Sequence, residues 1–388
     1  MPYIVGAYEH PLRDAGDKTL AELQVESALA ALADAGLSKD DVDGFFCGPD
    51  APGTGPLSIT DYMNLNLRHV DTTNTSGSSY VLLAAHAVEA IEAGKCDVAL
   101  ITHAARPRAA KRAVGGMKGA LVRNDDPQQP DFQWENPFGI QIMNVYGMTA
   151  MRHMHLYGTT AEQLAWIKVA ASEHAKHNEH AFIREPVTVE DVVNSPMIAD
   201  PLRRLDCCVT TDGGGAIVVA RKEIAKSLNR PLVKIKGTGT RPQHQQGGYF
   251  EITQSGAAWS GKAAYEQAGV SPADIKYVSL YDSFTITVLI QLEDLGFCEK
   301  GAGGRFVSDG NLISGVGQLA FNTDGGGLCN NHPGARGGLV KTIEAVRQLR
   351  GEAHPAVQVK NCDLALVNAI GGQLGVRHAS GTLILERE

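Results

Sequence analysis

The chain of 388 residues has no apolar run near the length of a membrane span, about 18 residues, and no leader-like start. A membrane-spanning or secreted protein is therefore not expected. Its seven cysteines, at 47, 96, 207, 208, 298, 329 and 362, follow no regular spacing, so we expect reduced thiols in a cytoplasm and no disulfide framework. Excess positive charge is also missing. A formal charge of -8 gives no general attraction to nucleic acid or anionic membranes, so a phosphorylated ligand would need a local basic patch. No Gly-x-Gly-x-x-Gly follows the first strand pattern, Tyr3 to Gly6, which argues against a dinucleotide site despite 43 glycines. Cys329 and His332 have Cys-x-x-His spacing, but no second such pair supports a metal site.

What is present is a chain that echoes itself. Ala33-Asp34-Ala35-Gly36-Leu37-Ser38 is the end of a helix, a glycine cap and a new turn, and Gln267-Ala268-Gly269-Val270-Ser271 repeats the form. Cys96-Asp97-Val98-Ala99-Leu100-Ile101 is matched by Cys362-Asp363-Leu364-Ala365-Leu366-Val367, each after a helical pattern (about 79–93 and 338–349). Apolar runs without alternation are strands covered on both faces, so an α/β protein with helices on each side of its sheets is expected. We place the two halves at 1–225 and 226–388. An excursion at about 105–200 interrupts the first, with helical patterns near 143–157 and 161–178 and a basic cluster of Arg106, Arg108, Lys111, Arg112, Lys118 and Arg123.

The candidate catalytic residue is His332, in Asn330-Asn331-His332-Pro333-Gly334, a histidine at a turn into a helix. Together with four further blocks it resembles the thiolase superfamily, in its sterol-carrier-protein and lipid-transfer-type branch. The blocks are Thr75-Ser76-Gly77-Ser78-Ser79, Arg204-Leu205-Asp206-Cys207-Cys208 through Thr211-Asp212-Gly213-Gly214-Gly215, Leu280-Tyr281-Asp282-Ser283-Phe284-Thr285, Asn322-Thr323-Asp324-Gly325-Gly326-Gly327 leading to His332, and Ala369-Ile370-Gly371-Gly372-Gln373. They follow the family's order along nearly the whole chain. The resemblance implies a duplicated αβαβα five-layer core with an inserted loop domain that binds coenzyme A, here the basic excursion. It assigns coenzyme A, as an acyl-CoA substrate, to Ser76, Gly371 and Gly372 together with Arg106, Arg112, Lys118 and Arg123.

The departures from the family matter more. Asn74 stands where thiolases carry the nucleophilic cysteine at a helix N-terminus, and Ala369 stands where they carry the second, acid–base cysteine. Thr75 or Ser76 could replace the nucleophile only with an adjacent base. Tyr281 occupies the position of a family asparagine or histidine, while the histidine that binds the thioester oxygen survives as His332. An oxyanion binder without a nucleophile suits an enolate. Breaking the bond beta to a thioester in a β-hydroxyacyl-CoA, a retro-aldol cleavage, produces an enolate and needs no acyl-enzyme. Tyr281 is then the expected base, Tyr249 a weaker one. Asn74 or Ser76 would orient the carbonyl, and Asn322 would position a water or a backbone turn. His86 and His103 are expected to be packing residues. The block from Tyr281 to Cys298 also resembles steroid side-chain acyl-CoA aldolases, which implies a small zinc-ribbon/OB-fold partner and a homodimer. Two further readings stay open, a thiolase with a relocated nucleophile and a non-catalytic acyl-CoA or lipid-binding scaffold.

Overall fold

In a computed structural model the chain is described over residues 1–48, 51–110, 128, 137, 141–244, 251–334, 337–375 and 377–388. The first half forms β1 (Tyr3–Glu9), β2 (Gly44–Cys47), β3 (His69–Thr72) and β4 (Val98–Ala105). After the excursion, which contains a ribbon of β5 (Met197–Ala199) and β6 (Leu202–Arg203), the half closes with β7 (Gly213–Ala220). The second half forms β8 (Val233–His244), β9 (Tyr277–Leu280), β10 (Ala320–Phe321), β11 (Leu364–Gly372) and β12 (Arg377–Arg387). The strands lie in the order β10-β9-β11-β12-β8-β1-β7-β4-β2-β3. In each half one strand is flanked by two parallel neighbours (β2 by β3 and β4, β9 by β10 and β11), and two antiparallel strands complete the five. The duplication read from the sequence is therefore a duplicated topology. The halves meet edge to edge where Tyr3 and Ile4 of β1 pair with Lys234 and Val233 of β8.

The repeated sequence fragments show why each half folds alike. Helix Leu20–Ala35 starts in a Thr19/Glu22 capping box and stops at Gly36, whose φ of 71° suits glycine. Helix Ala257–Ala268 stops the same way at Gly269, φ 66°. Ser38 and Ser271 then cap short 3-10 turns that lead into β2 and β9. These two helices cover the outer faces. Helices Ser79–Glu92 and Gly338–Arg350 lie between the halves and touch strands of both. Three apolar clusters, one outside each half and one around the central helices, fill the spaces of a five-layer αβαβα core.

Helix Gly338–Arg350 buries every residue but Arg347, including the charged Lys341, Glu344 and Arg350. Such groups are tolerated in a core only when paired. Lys341 pairs with Asp282, Glu344 with Thr323 and Arg347, and Arg350 with Asp34. The excursion's helices, Ile142–Tyr157 and Ala161–Ala175, match the periodicity, the second ending about three residues early. They pack on the other half, against helix Thr285–Asp294, with Tyr146 stacked on Phe284 at 4.8 Å.

Candidate active site

β9 delivers Tyr281 to the centre of the molecule. Its N–H donates to the Asn368 carbonyl (2.9 Å), and its own carbonyl accepts from Gln291 Nε2 (2.6 Å), so the backbone is fixed on both sides. The buried ring lies over Gly77, where a Cβ would stand 2.6 Å from Tyr281 Cζ. Its hydroxyl is 2.9 Å from His332 Nε2, with the two rings edge to face at 5.4 Å. The Gly337 N–H also donates to the phenol oxygen. With the imidazole proton on Nδ1, the phenol donates its own proton to Nε2.

Burial sets the charge of this pair. It pulls His332 from 6.5 down to about 4; the Asp282 carboxylate opposes this and Lys341 adds to it. Burial pushes the Tyr281 phenol well above its ordinary value, and Cys208, Tyr146 and Asp282 push it further. Both groups are neutral near pH 7. Asp282 lies beneath them in a fully buried pair with Lys341 at 2.6 Å. Asp282 also accepts the amides of Gly327 (2.8 Å) and Leu328 (3.1 Å), in the short turn that leads to the histidine.

The His332 loop is tethered on both sides. Its N–H donates to Thr211 Oγ1 at 2.8 Å, and the Pro333 carbonyl accepts from His103 Nε2 at 3.1 Å. The carbonyl, which can only accept, fixes the His103 proton on Nε2, and Tyr80 Oη, which accepts the Gly48 N–H, stands 3.2 Å from Nδ1. His103 is thus a packing histidine that also grips the site loop, and His86 is paired with Asp71.

The two central helices begin at this same point. A Cβ at Gly338 would meet the Gly77 carbonyl at 2.6 Å, and one at Gly371 would meet the Thr75 carbonyl at 1.8 Å. Only glycine allows the two helix starts and β11 to approach so closely. Two helix N-termini, each partly positive, therefore converge beside Tyr281 and His332.

Several sequence-predicted site residues sit elsewhere. Asn74 is exposed, outside the buried pair, because the turn brings Gly77 rather than residue 74 to the tyrosine. Ser76 is half-buried with φ +55°, in a turn tied by Ser79 Oγ, which accepts the Thr75 N–H and donates to the Ser76 carbonyl. Asn322 positions backbone and not the reacting groups: its Oδ1 accepts the Leu280 N–H and its Nδ2 donates to the Leu280 carbonyl, at 2.8 and 2.9 Å. Gly371 provides the close approach to the 75–78 turn, and Gly372, φ 79°, starts the hairpin to β12. Arg106 uses one guanidinium nitrogen to donate to the Ala15 and Gly16 carbonyls, at 3.1 and 3.0 Å. Arg112, Lys118, Arg123 and Tyr249 lie outside the described residues.

Four residues of the site were not singled out from sequence: Thr211, Asp282, Lys341 and Cys208. Lys341 left one signal, a lysine in the otherwise apolar stretch Leu339-Val340-Lys341-Thr342-Ile343. Six thiols are held protonated by their surroundings. Burial pushes Cys96, Cys207, Cys298 and Cys362 up to about 12, and raises Cys208 and Cys329 as well.

Residues 239–387 match the family described as Thiolase C-terminal domain-like. An acetyl-CoA acetyltransferase of Methanothermobacter thermautotrophicus is 31% identical over 386 residues, 96% of each chain. The 17-hydroxy-3-oxo-4-pregnene-20-carboxyl-CoA lyase of Mycobacterium tuberculosis is 36% identical over 338 residues, 85% of this chain and 86% of the lyase. Among solved structures, that of an Ltp2-ChsH2(DUF35) aldolase superposes with a TM-score of 0.87 at 32% identity, covering 100% of this chain and 97% of the other. The chain belongs to the thiolase superfamily, within its sterol-carrier and lipid-transfer-like branch.

Proposed function

We propose that the protein cleaves the carbon–carbon bond of a β-hydroxyacyl-CoA by a retro-aldol step. The observation that carries this reading is the buried, neutral Tyr281–His332 pair at 2.9 Å, placed where two helix N-termini meet, beside a Cys208 thiol that burial keeps protonated. The substrate's β-hydroxyl passes its proton to Tyr281 Oη as the phenol passes its own to His332 Nε2. The bond between the α and β carbons breaks, a ketone or aldehyde leaves, and the electron pair becomes the acyl-CoA enolate. Amides and dipoles of the helix starts stabilise the enolate oxygen. Asp282 stabilises the imidazolium while it holds the proton. The proton then returns through Tyr281 to the α carbon. His332 acts here as proton acceptor, where the sequence suggested a donor to the thioester oxygen.

The lyase named among the relatives supports a steroid or similarly bulky side chain. The similar aldolase structure, in which Ltp2 is joined with ChsH2(DUF35), supports a DUF35 partner, matching the zinc-ribbon/OB-fold protein that the family resemblance suggests. We also propose a homodimer, halves at 1–225 and 226–388, CoA along the 105–200 excursion, and a cytoplasmic location. No described helix is long and apolar enough to cross a membrane. A transferase reading would need a relocated nucleophile, Ser76 or a partner residue, and the positive φ of Ser76, 55°, is the observation in favour.

Incubating the protein, alone and with a co-expressed DUF35 partner, with tertiary β-hydroxyacyl-CoAs tests the proposal. Release of the ketone and the shortened acyl-CoA supports it. Thiolytic cleavage of a β-ketoacyl-CoA, with an acyl adduct in the intact mass, would replace it by the transferase reading.

A further inference from the structure

The strongest organisation outside the reacting pair lies behind His332, in the two asparagines that precede it. Asn331 Nδ2 donates to Glu9 Oε1 (2.8 Å), and its Oδ1 accepts from Thr211 Oγ1 (2.7 Å), the hydroxyl that in turn accepts the His332 N–H. Asn330 Nδ2 donates to the same Glu9 oxygen (3.3 Å) and to Asp324 (2.8 Å), while its Oδ1 takes two bonds from Arg13 (3.2 and 2.8 Å). Arg13 is itself paired with Glu9 at 2.8 Å, and Arg347 reaches the other Glu9 oxygen at 3.1 Å. All four of Glu9, Arg13, Asn330 and Asn331 are buried.

The direction of these bonds is forced. An ionised carboxylate only accepts, so Asn331 must turn its NH2 to Glu9 and its oxygen to Thr211. The threonine proton is thereby spent on Asn331, and its lone pair is left for the His332 N–H. Arg13 and Arg347 hold Glu9 ionised, down to about 2, against the burial that would neutralise it. Beyond the clamp lies a cavity of about 540 Å3 that Glu9, Arg13 and Arg347 help to line, so the carboxylate does not fill a closed apolar core.

We propose that Glu9, with Arg13, is a positioning residue that fixes His332 against Tyr281 from the opposite half of the chain. The inference rests on the retro-aldol reading for its kinetic consequence, and on geometry alone for its effect on the histidine. Glu9→Gln lets the side chain present an NH2 and frees the Asn331 amide to flip. Kcat should fall roughly 10- to 100-fold with KM little changed, as expected for small displacements of a reacting group. The His332 imidazole 15N resonances should move in the same variant. Thr211→Val, which cuts the link one step nearer the histidine, should reproduce both effects and decides the matter if E9Q does not fold. The exchange Glu9→Gln/Asn331→Asp, which reverses the bond while conserving charge, should recover part of the lost kcat. Folded variants with wild-type kcat and unmoved His332 resonances would overturn the clamp. If the wild-type protein turns over no β-hydroxyacyl-CoA, the functional reading falls, and the resonances alone decide for or against the clamp.

Discussion

Replacing Tyr281 by Phe removes one oxygen from the centre of the molecule and leaves its packing intact. The ring would keep its contact with Gly77, while His332 Nε2 and the Gly337 N–H both lose their partner. A buried polar group left unpaired costs about 1–3 kcal/mol, which in a chain of this size lowers the melting temperature by only a few degrees. Catalysis should suffer far more. If the phenol carries the proton between the substrate hydroxyl and the imidazole, its loss removes general acid–base assistance, on the order of 10²- to 10⁴-fold in kcat. KM should hardly change, since the hydroxyl contributes to proton transfer more than to binding. The assay is steady-state release of the shortened acyl-CoA, beside a thermal melt of the same preparation. A Y281F protein that melts normally and keeps more than about a tenth of the wild-type kcat would refute the proton-carrier role.

Lys341→Met would strand Asp282 as an unpaired charge in the core, so urea unfolding should show a loss of about 3–5 kcal/mol, whereas the Asp282→Asn/Lys341→Met pair should lose less. His332 must be neutral to accept a proton, and burial pulls it down to about 4, so activity is present above that pH and lost as pH falls through it. The acid limb of kcat/KM should thus lie near pH 4, followed with circular dichroism in parallel; a limb near 6.5 would contradict the burial argument. Cys208→Ser should retain kcat within about threefold, because burial keeps the thiol protonated and no acyl group passes through sulfur. An inactive but folded C208S protein would return the site to thiolase chemistry.

Much of the architecture was legible because it is local. Gly36 and Gly269 mark helix ends that any reading of caps finds, and the Cys-Asp-apolar fragments mark β4 and β11, although both strands run several residues beyond them. His332 and Tyr281 were legible through their motifs, and the structure brings them together. Sequence was least specific where one residue type serves several purposes. Arg106, read as a phosphate ligand, also donates to backbone carbonyls some 90 residues away. Asn322, expected to position a water or a backbone turn, pairs its amide with the N–H and the carbonyl of Leu280 at the end of β9. Glu9 and Arg13 left no trace in periodicity or spacing, since their partners lie more than 300 positions along the chain.

The two-residue seam between β1 and β8 has a consequence for how this molecule can be taken apart. Beyond that seam the union depends on contacts that cross over: backbone bonds from Phe182, Ile183, Cys208 and Val209 to Asn330, Cys329, Ser283 and Gly327, Glu9 gripping Asn331, Arg350 gripping Asp34, and the excursion of one copy lying on the other. Gene fragments cut between Ser227 and Val233 would thus encode pieces that each own a sheet while neither owns a working centre. Mixing them should restore turnover only to the extent that these crossing contacts reform, which makes complementation a gauge of the union itself.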